Sequence, residues 1–148
     1  MYTSIFDDEH NLLAIIIRNF ELSERVRFIT KDSQNPQVAL MSRPQGEYIT
    51  PHVHLPIERK VFGTPEVLVV RSGKMRVDLF NASKMFVESH IMQDGDIIIL
   101  FSGGHGFDIL ETTIMVELKQ GPFKEGLDKE RFALDDEMLS QIMSRQVD

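Results

Sequence analysis

Short runs rich in β-branched and aromatic residues recur along this chain, each cut off by turn residues. The runs are Leu12–Arg18, Val26–Thr30, Val38–Ser42, Tyr48–His54, Val67–Arg71, Met75–Phe80, Phe86–Met92, Ile97–Phe101, Gly106–Leu110 and Thr113–Leu118. Ser72-Gly73, Asn81-Ala82-Ser83 and Asp94-Gly95-Asp96 punctuate them, and Ser72-Gly73 reads as the tight turn of a hairpin. Short strands at this spacing predict an all-β sandwich or barrel. No long helical pattern interrupts the series, which argues against an α/β fold. Within Met75–Phe80 the parity places Met75, Val77 and Leu79 on one face, and Arg76 and Asp78 on the other. Ile97–Phe101 is apolar throughout, as a strand covered on both sides requires.

The pattern changes after Gly121-Pro122. Asp135 or Asp136 can cap a short helix running to about Arg145, with Leu134, Met138, Leu139, Ile142 and Met143 along one side. Such a helix lies on the wall of the β-domain or packs on a second subunit, and the first reading is preferred. The expected organisation is a barrel over residues 1–123, including the N-terminal strands, and a C-terminal extension over 124–148.

The 148 residues suit one domain with its own core. A net charge of −7 argues against nucleic-acid binding, and an anionic ligand would need a local basic patch. There is no cysteine, so disulfides, thiolate ligands and a cysteine nucleophile are excluded. Leu12–Ile17 is too short to span a membrane and is preceded by acidic residues, so neither a membrane partner nor a secretory leader is expected. The expected location is the cytoplasm.

Five histidines are present. His52 and His54 are two apart, so on a strand both rings would project from one face. His105 follows the buried strand and sits in Gly103-Gly104-His105-Gly106, where the glycines serve a turn rather than a phosphate cradle. An antiparallel barrel can bring such segments together, and three neutral imidazoles would bind a divalent ion. His10 and His90 read as surface or satisfied core residues.

Residues 46–73 resemble the first motif of the cupin superfamily: Gly46, five residues, His52-Val53-His54, Glu66, six residues, Gly73. Residues 95–105 resemble its second motif, Gly95-Asp96, an apolar strand, a glycine turn and His105, without the usual proline and one residue short. Thr64-Pro65-Glu66-Val67-Leu68 and Glu117-Leu118-Lys119-Gln120-Gly121-Pro122-Phe123 are similar to a largely uncharacterised bacterial subgroup. The resemblance implies a double-stranded β-helix, or jelly-roll barrel, with metal ligands His52, His54, Glu66 and His105. Glu58 has the family's short spacing from His54 and is the alternative carboxylate, while an inserted hairpin tip over Arg59–Pro65 would reconcile that spacing with Glu66, the preferred ligand. The ion would be Fe, Zn, Mn or Ni. The resemblance further implies a homodimer and a small polar ligand, sugar-like or a hydroxy or keto acid, handled by a dioxygenase or isomerase.

Tyr48 is a candidate proton donor by its parity with His52, and Arg59 a candidate anion contact. Arg43, Lys60 and Arg71 are further basic groups near the motifs, and Phe107 and Met75 are expected to line the barrel. A non-catalytic sugar-binding module, a metal-free sugar epimerase using a histidine with Tyr48, and an assembly partner are the competing readings.

Overall fold

The computed structural model describes residues 2–122, 124, 126 and 128–144. Phe123, at the end of the expected barrel, and Arg145, at the expected helix end, lie outside these. The chain is mostly β, with antiparallel sheets and one short C-terminal helix. In order the elements are β1 (Tyr2–Phe6), β2 (Leu12–Ile17), β3 (Val26–Phe28), β4 (Ala39–Met41), β5 (Glu66–Ser72), β6 (Lys74–Phe80), β7 (Phe86–Gln93), β8 (Ile97–Leu100), β9 (Gly104–Ile109), β10 (Ile114–Lys119) and α1 (Asp136–Ser144). Two compact units result: the chain up to Phe20 together with Thr64 onward, and Glu21–Gly63. Among the described residues no helix is long and apolar enough to cross a membrane.

The first unit holds a five-stranded sheet in the order β1-β2-β8-β5-β10 and a three-stranded sheet in the order β7-β6-β9. Alternation does the assembling. Ile5, Ala14, Ile16, Leu68, Val70, Ile98 and Leu100 project from one sheet, and Met75, Val77, Leu79 and Met92 project from the other into a common core. Burying each of these side chains other than that of Ala14 contributes about 1.5–3 kcal/mol. Strand β8 is apolar for the reason expected: Ile98 and Leu100 face the core, while Ile99 on its opposite face is also buried. On the outer face of the small sheet, Arg76 donates from Nε to Asp78 Oδ1 at 2.7 Å and from Nη2 to Oδ2 at 3.1 Å. Ser89 Oγ donates to the same carboxylate at 2.6 Å, so a buried charge is fully engaged.

From β5 onward the chain passes repeatedly between the two sheets. This corrects the hairpin expected at Ser72-Gly73. The turn is there, yet β5 pairs with β8 and β10, and β6 with β7 and β9. Gly73 has φ 99°, and a Cβ on it would meet Thr112 O at 2.2 Å. Only glycine fits so tight a corner between sheets. Asn81-Ala82-Ser83 does close a hairpin, β6–β7, with Asn81 Oδ1 accepting from Ser83 N and Met85 N at 3.0 Å each.

The helix starts as its cap predicts, with Asp135 Oδ1 accepting from Met138 N at 2.8 Å. It packs against β7 and buries Ile142, while Leu139 and Met143 stay exposed. That agrees with a helix on the wall of the β-unit. Strand β1 was not anticipated from the sequence, because Thr3 and Ser4 break its apolar rhythm.

The second unit contains the β3–β4 pair, extended by Ile29 N to Val38 O at 3.0 Å and Ser42 N to Arg25 O at 3.1 Å. Tyr48–His54, expected as a strand, has no regular structure, nor does Arg59–Pro65 form a hairpin tip. Pro51 lacks an N–H for a ladder, and Pro56 restricts the residue before it, so β-branched residues alone do not make this segment a strand.

Candidate functional site

The sequence-predicted site residues fall into two groups, one in each unit. In the first unit, Glu66 opens β5 and His105 lies on β9 opposite Leu79 of β6. Register places both on the inward faces of their sheets: Glu66 shares parity with Leu68 and Val70, and His105 stands beside Leu79. They meet across the inter-sheet space, with His105 Nε2 3.2 Å from Glu66 Oε2. The glycine turn before His105 does what its composition suggests. Gly103 has φ 73°, and a Cβ there would sit 2.2 Å from Phe80 O. The chain can therefore turn tightly against β6 and present His105 inward. The His105 ring also packs on Phe107, with centroids 5.3 Å apart.

Burial pushes the His105 ring below the usual histidine range, against the opposing pull of Glu66 and Glu117. It is therefore neutral at neutral pH, the form that binds metals. Two donors in adjacent positions on a six-coordinate ion, each about 2.1 Å from it, stand about 3 Å apart. The 3.2 Å separation of Nε2 and Oε2 fits that requirement.

Sequence reasoning missed the partners of this pair. On β10, Met115, Glu117 and Lys119 share the inward face, opposite Val70, Leu68 and Glu66 of β5. Lys119 Nζ lies 3.2 Å from Glu117 Oε1 and 3.9 Å from Glu66 Oε1. Its ammonium is held above the usual lysine range, chiefly by Glu117. Lys129 is close enough to act on His105 electrostatically. The available signal was parity along β10, which puts both charged residues on the face of Met115.

In the second unit, the His52 and His54 rings lie edge to face with centroids 5.3 Å apart, and both side chains are exposed. His52 Nδ1 is 3.1 Å from Thr50 O. Tyr48 is 78% exposed, and Glu58, Arg59 and Lys60 are exposed too. Arg43 pairs with Glu47 at 2.9 Å, as does Arg25 at 3.1 Å. Among the described residues, no three His, Asp or Glu side chains converge as a ready metal group. In the first unit, Arg71 is exposed and Met75 is sealed in the core. His10 is an exposed turn residue with φ 62°, and His90 is half-buried with Nε2 3.1 Å from Glu88 Oε1.

The chain matches no family model, no curated protein and no solved structure.

Proposed function

We propose that this chain is a divalent-metal-binding protein of the cupin type that acts on a small polar molecule, sugar-like or a hydroxy or keto acid. The observation that carries the reading is the meeting of Glu66 and His105 from facing sheets, at a separation suited to neighbouring positions on one ion. The shuttling of β5 to β10 between two antiparallel sheets supports a jelly-roll reading of the fold. The ligands proposed on this unit are Glu66 and His105; the motif resemblance proposes His52 and His54 as well, with Glu58 as the alternative carboxylate. A divalent ion bound there supplies Lewis acidity toward a carbonyl or enediol, or the redox chemistry of an oxygenase. The chain's own groups supply the rest. Glu66 gives negative charge, His105 a neutral donor, and Phe107 an apolar wall against the ring. The proposal places the protein in the cytoplasm as a homodimer, which light scattering on the purified chain tests directly.

The deciding experiment is elemental analysis of the full chain purified without affinity tag or chelator, beside His52→Ala and His105→Ala. Near-stoichiometric metal in the parent, lost in both variants, is the expected result. A parent that retains nothing after incubation with iron, zinc, manganese or nickel would overturn the reading and favour the metal-free alternatives.

A further inference from the structure

We propose that the second unit, Glu21–Gly63, is a self-association surface, and that its apolar segment Tyr48–Phe62 packs on the same segment of a second copy of this chain. This rests on the homodimer reading above, to which it assigns a surface, and it needs no metal ion.

The argument is one of uncovered carbon. Leu40 is the single hydrophobic residue buried in this unit. Nine large apolar side chains of the same unit are more than a third exposed. Val53, Leu55 and Ile57 are 83%, 72% and 64% exposed, and Phe62 is wholly so. On the β3–β4 pair, register puts Phe28 and Met41 on one face, and both are exposed. Single apolar residues are ordinary on a surface, but a run of this density marks an interaction site. At about 150 Å² for a fully exposed side chain, the nine present on the order of 900 Å². A stable interface takes about 800 Å² from each partner. A second copy meeting this surface across a two-fold axis brings the same chemistry in the same amount.

Charge favours a second copy over other partners. The unit has six basic and five acidic residues, net +1, which leaves −8 on the rest of the chain. Two such units can approach closely, where the acidic remainders of two chains would repel. The same remainder opposes an anionic lipid surface, to which the unit offers a net charge of only +1. The segment is also stiffened for docking. Pro51 and Pro56 each fix one backbone angle, and Leu55, ahead of Pro56, is confined to extended conformations. Less entropy is therefore lost when the segment is ordered at an interface.

The test is sedimentation equilibrium of the full chain over a dilution series. The parent should run as a dimer that dissociates on dilution. Leu55→Glu should weaken it by about a hundredfold, because a two-fold interface loses the contact twice and gains two facing charges. Phe62→Ser should weaken it by about tenfold or more. Ile114→Glu, at a comparably exposed apolar residue of β10, should leave it unchanged. All three side chains are exposed in the single chain, so the fold should survive each substitution, as circular dichroism checks. Hydrogen exchange on the unaltered parent reads the surface independently: amides within 48–62 should slow in the dimer and quicken on dilution. A parent dimer that survives both Leu55→Glu and Phe62→Ser, that Ile114→Glu weakens as much, or whose exchange within 48–62 ignores dilution has its interface elsewhere. Any of these overturns the proposal and leaves the homodimer reading intact. A parent that stays monomeric, whether or not it binds anionic phospholipid vesicles, or that grows into open-ended polymers, overturns both.

Discussion

The two flanks of the β-sandwich use the same alternating pattern to opposite ends. Along β2 and β8 both faces are covered, and Leu13, Ala14, Ile15, Ile98 and Ile99 are all at 1% exposure or less. Along β9 and β10 even inward-facing residues stay partly open: Phe107 is 36% exposed, and His105 and Lys119 lie on the same faces. The first flank converts its apolar surface into stability. The second leaves that stabilisation unclaimed and uses the space for a histidine, two glutamates and a lysine. A small domain cannot do both in one place, because close packing leaves no room for a ligand and a ligand site leaves carbon exposed.

Substitutions on the two flanks should therefore separate stability from binding. The largest effect is expected at Ile98, where alanine removes a fully buried side chain between the sheets. Urea denaturation of Ile98→Ala should show a loss of about 4 kcal/mol, and a loss below about 1 kcal/mol would mean that the sandwich core is not packed as described. Next comes Asp78→Ala, which takes the bidentate carboxylate from the Arg76 guanidinium, leaving it Asp108 at 3.2 Å, and removes the acceptor of Ser89 Oγ. It should cost about 3 kcal/mol in the same measurement. On the open flank, His105→Ala should change stability by less than about 1 kcal/mol while abolishing metal retention. The smallest effect is expected for Val116→Thr, an outward position on β10 that is 47% exposed, within about 0.5 kcal/mol of the parent.

His105 also makes the flanks distinguishable by pH. Its folded-state affinity for a proton is depressed by burial, so as pH falls the unfolded chain takes up that proton first. The contribution favours folding above about pH 6.5 and is progressively lost below it. Thermal melts of the metal-free chain between about pH 7.5 and 5 should fall with pH, and His105→Gln should flatten that slope. An unchanged slope would mean that the ring is not desolvated in the folded state.

Legibility in the sequence did not follow that division, since the runs of β9 and β10 were readable as strands too. Strands whose alternation drives burial, β2 and β5 to β8, could be read directly, because a period of two and a covered face are one physical fact seen twice. The helix cap at Asp135 was readable for a similarly local reason. Pairing was not local. Ser72-Gly73 looks the same whether it folds a strand back on its neighbour or sends it to the opposite sheet, and only the partners of β5 and β6 decide. Tyr48–His54 misled because β propensity counts side chains, whereas a ladder needs backbone donors that Pro51 cannot supply. Glu66 could be singled out only through the motif resemblance, and His105 from its glycine turn after the buried strand. Lys119 had only the parity of β10 as its signal, and a lysine near a strand end reads as surface until the register with β5 shows otherwise.

The corner at Gly73 has a mechanical consequence. Glu66 stands seven residues before it, and Leu79, the neighbour of His105, six residues after it. At about 3.3 Å per residue, both tips lie about 20 Å from one pivot, like the jaws of a pair of tweezers. One degree of rotation there moves the tips by about 0.35 Å, about the difference between a zinc–oxygen and a calcium–oxygen bond. On the metal reading proposed above, the close backbone approach of Gly73 to Thr112 would thus bear on the radius of the ion held at the tips.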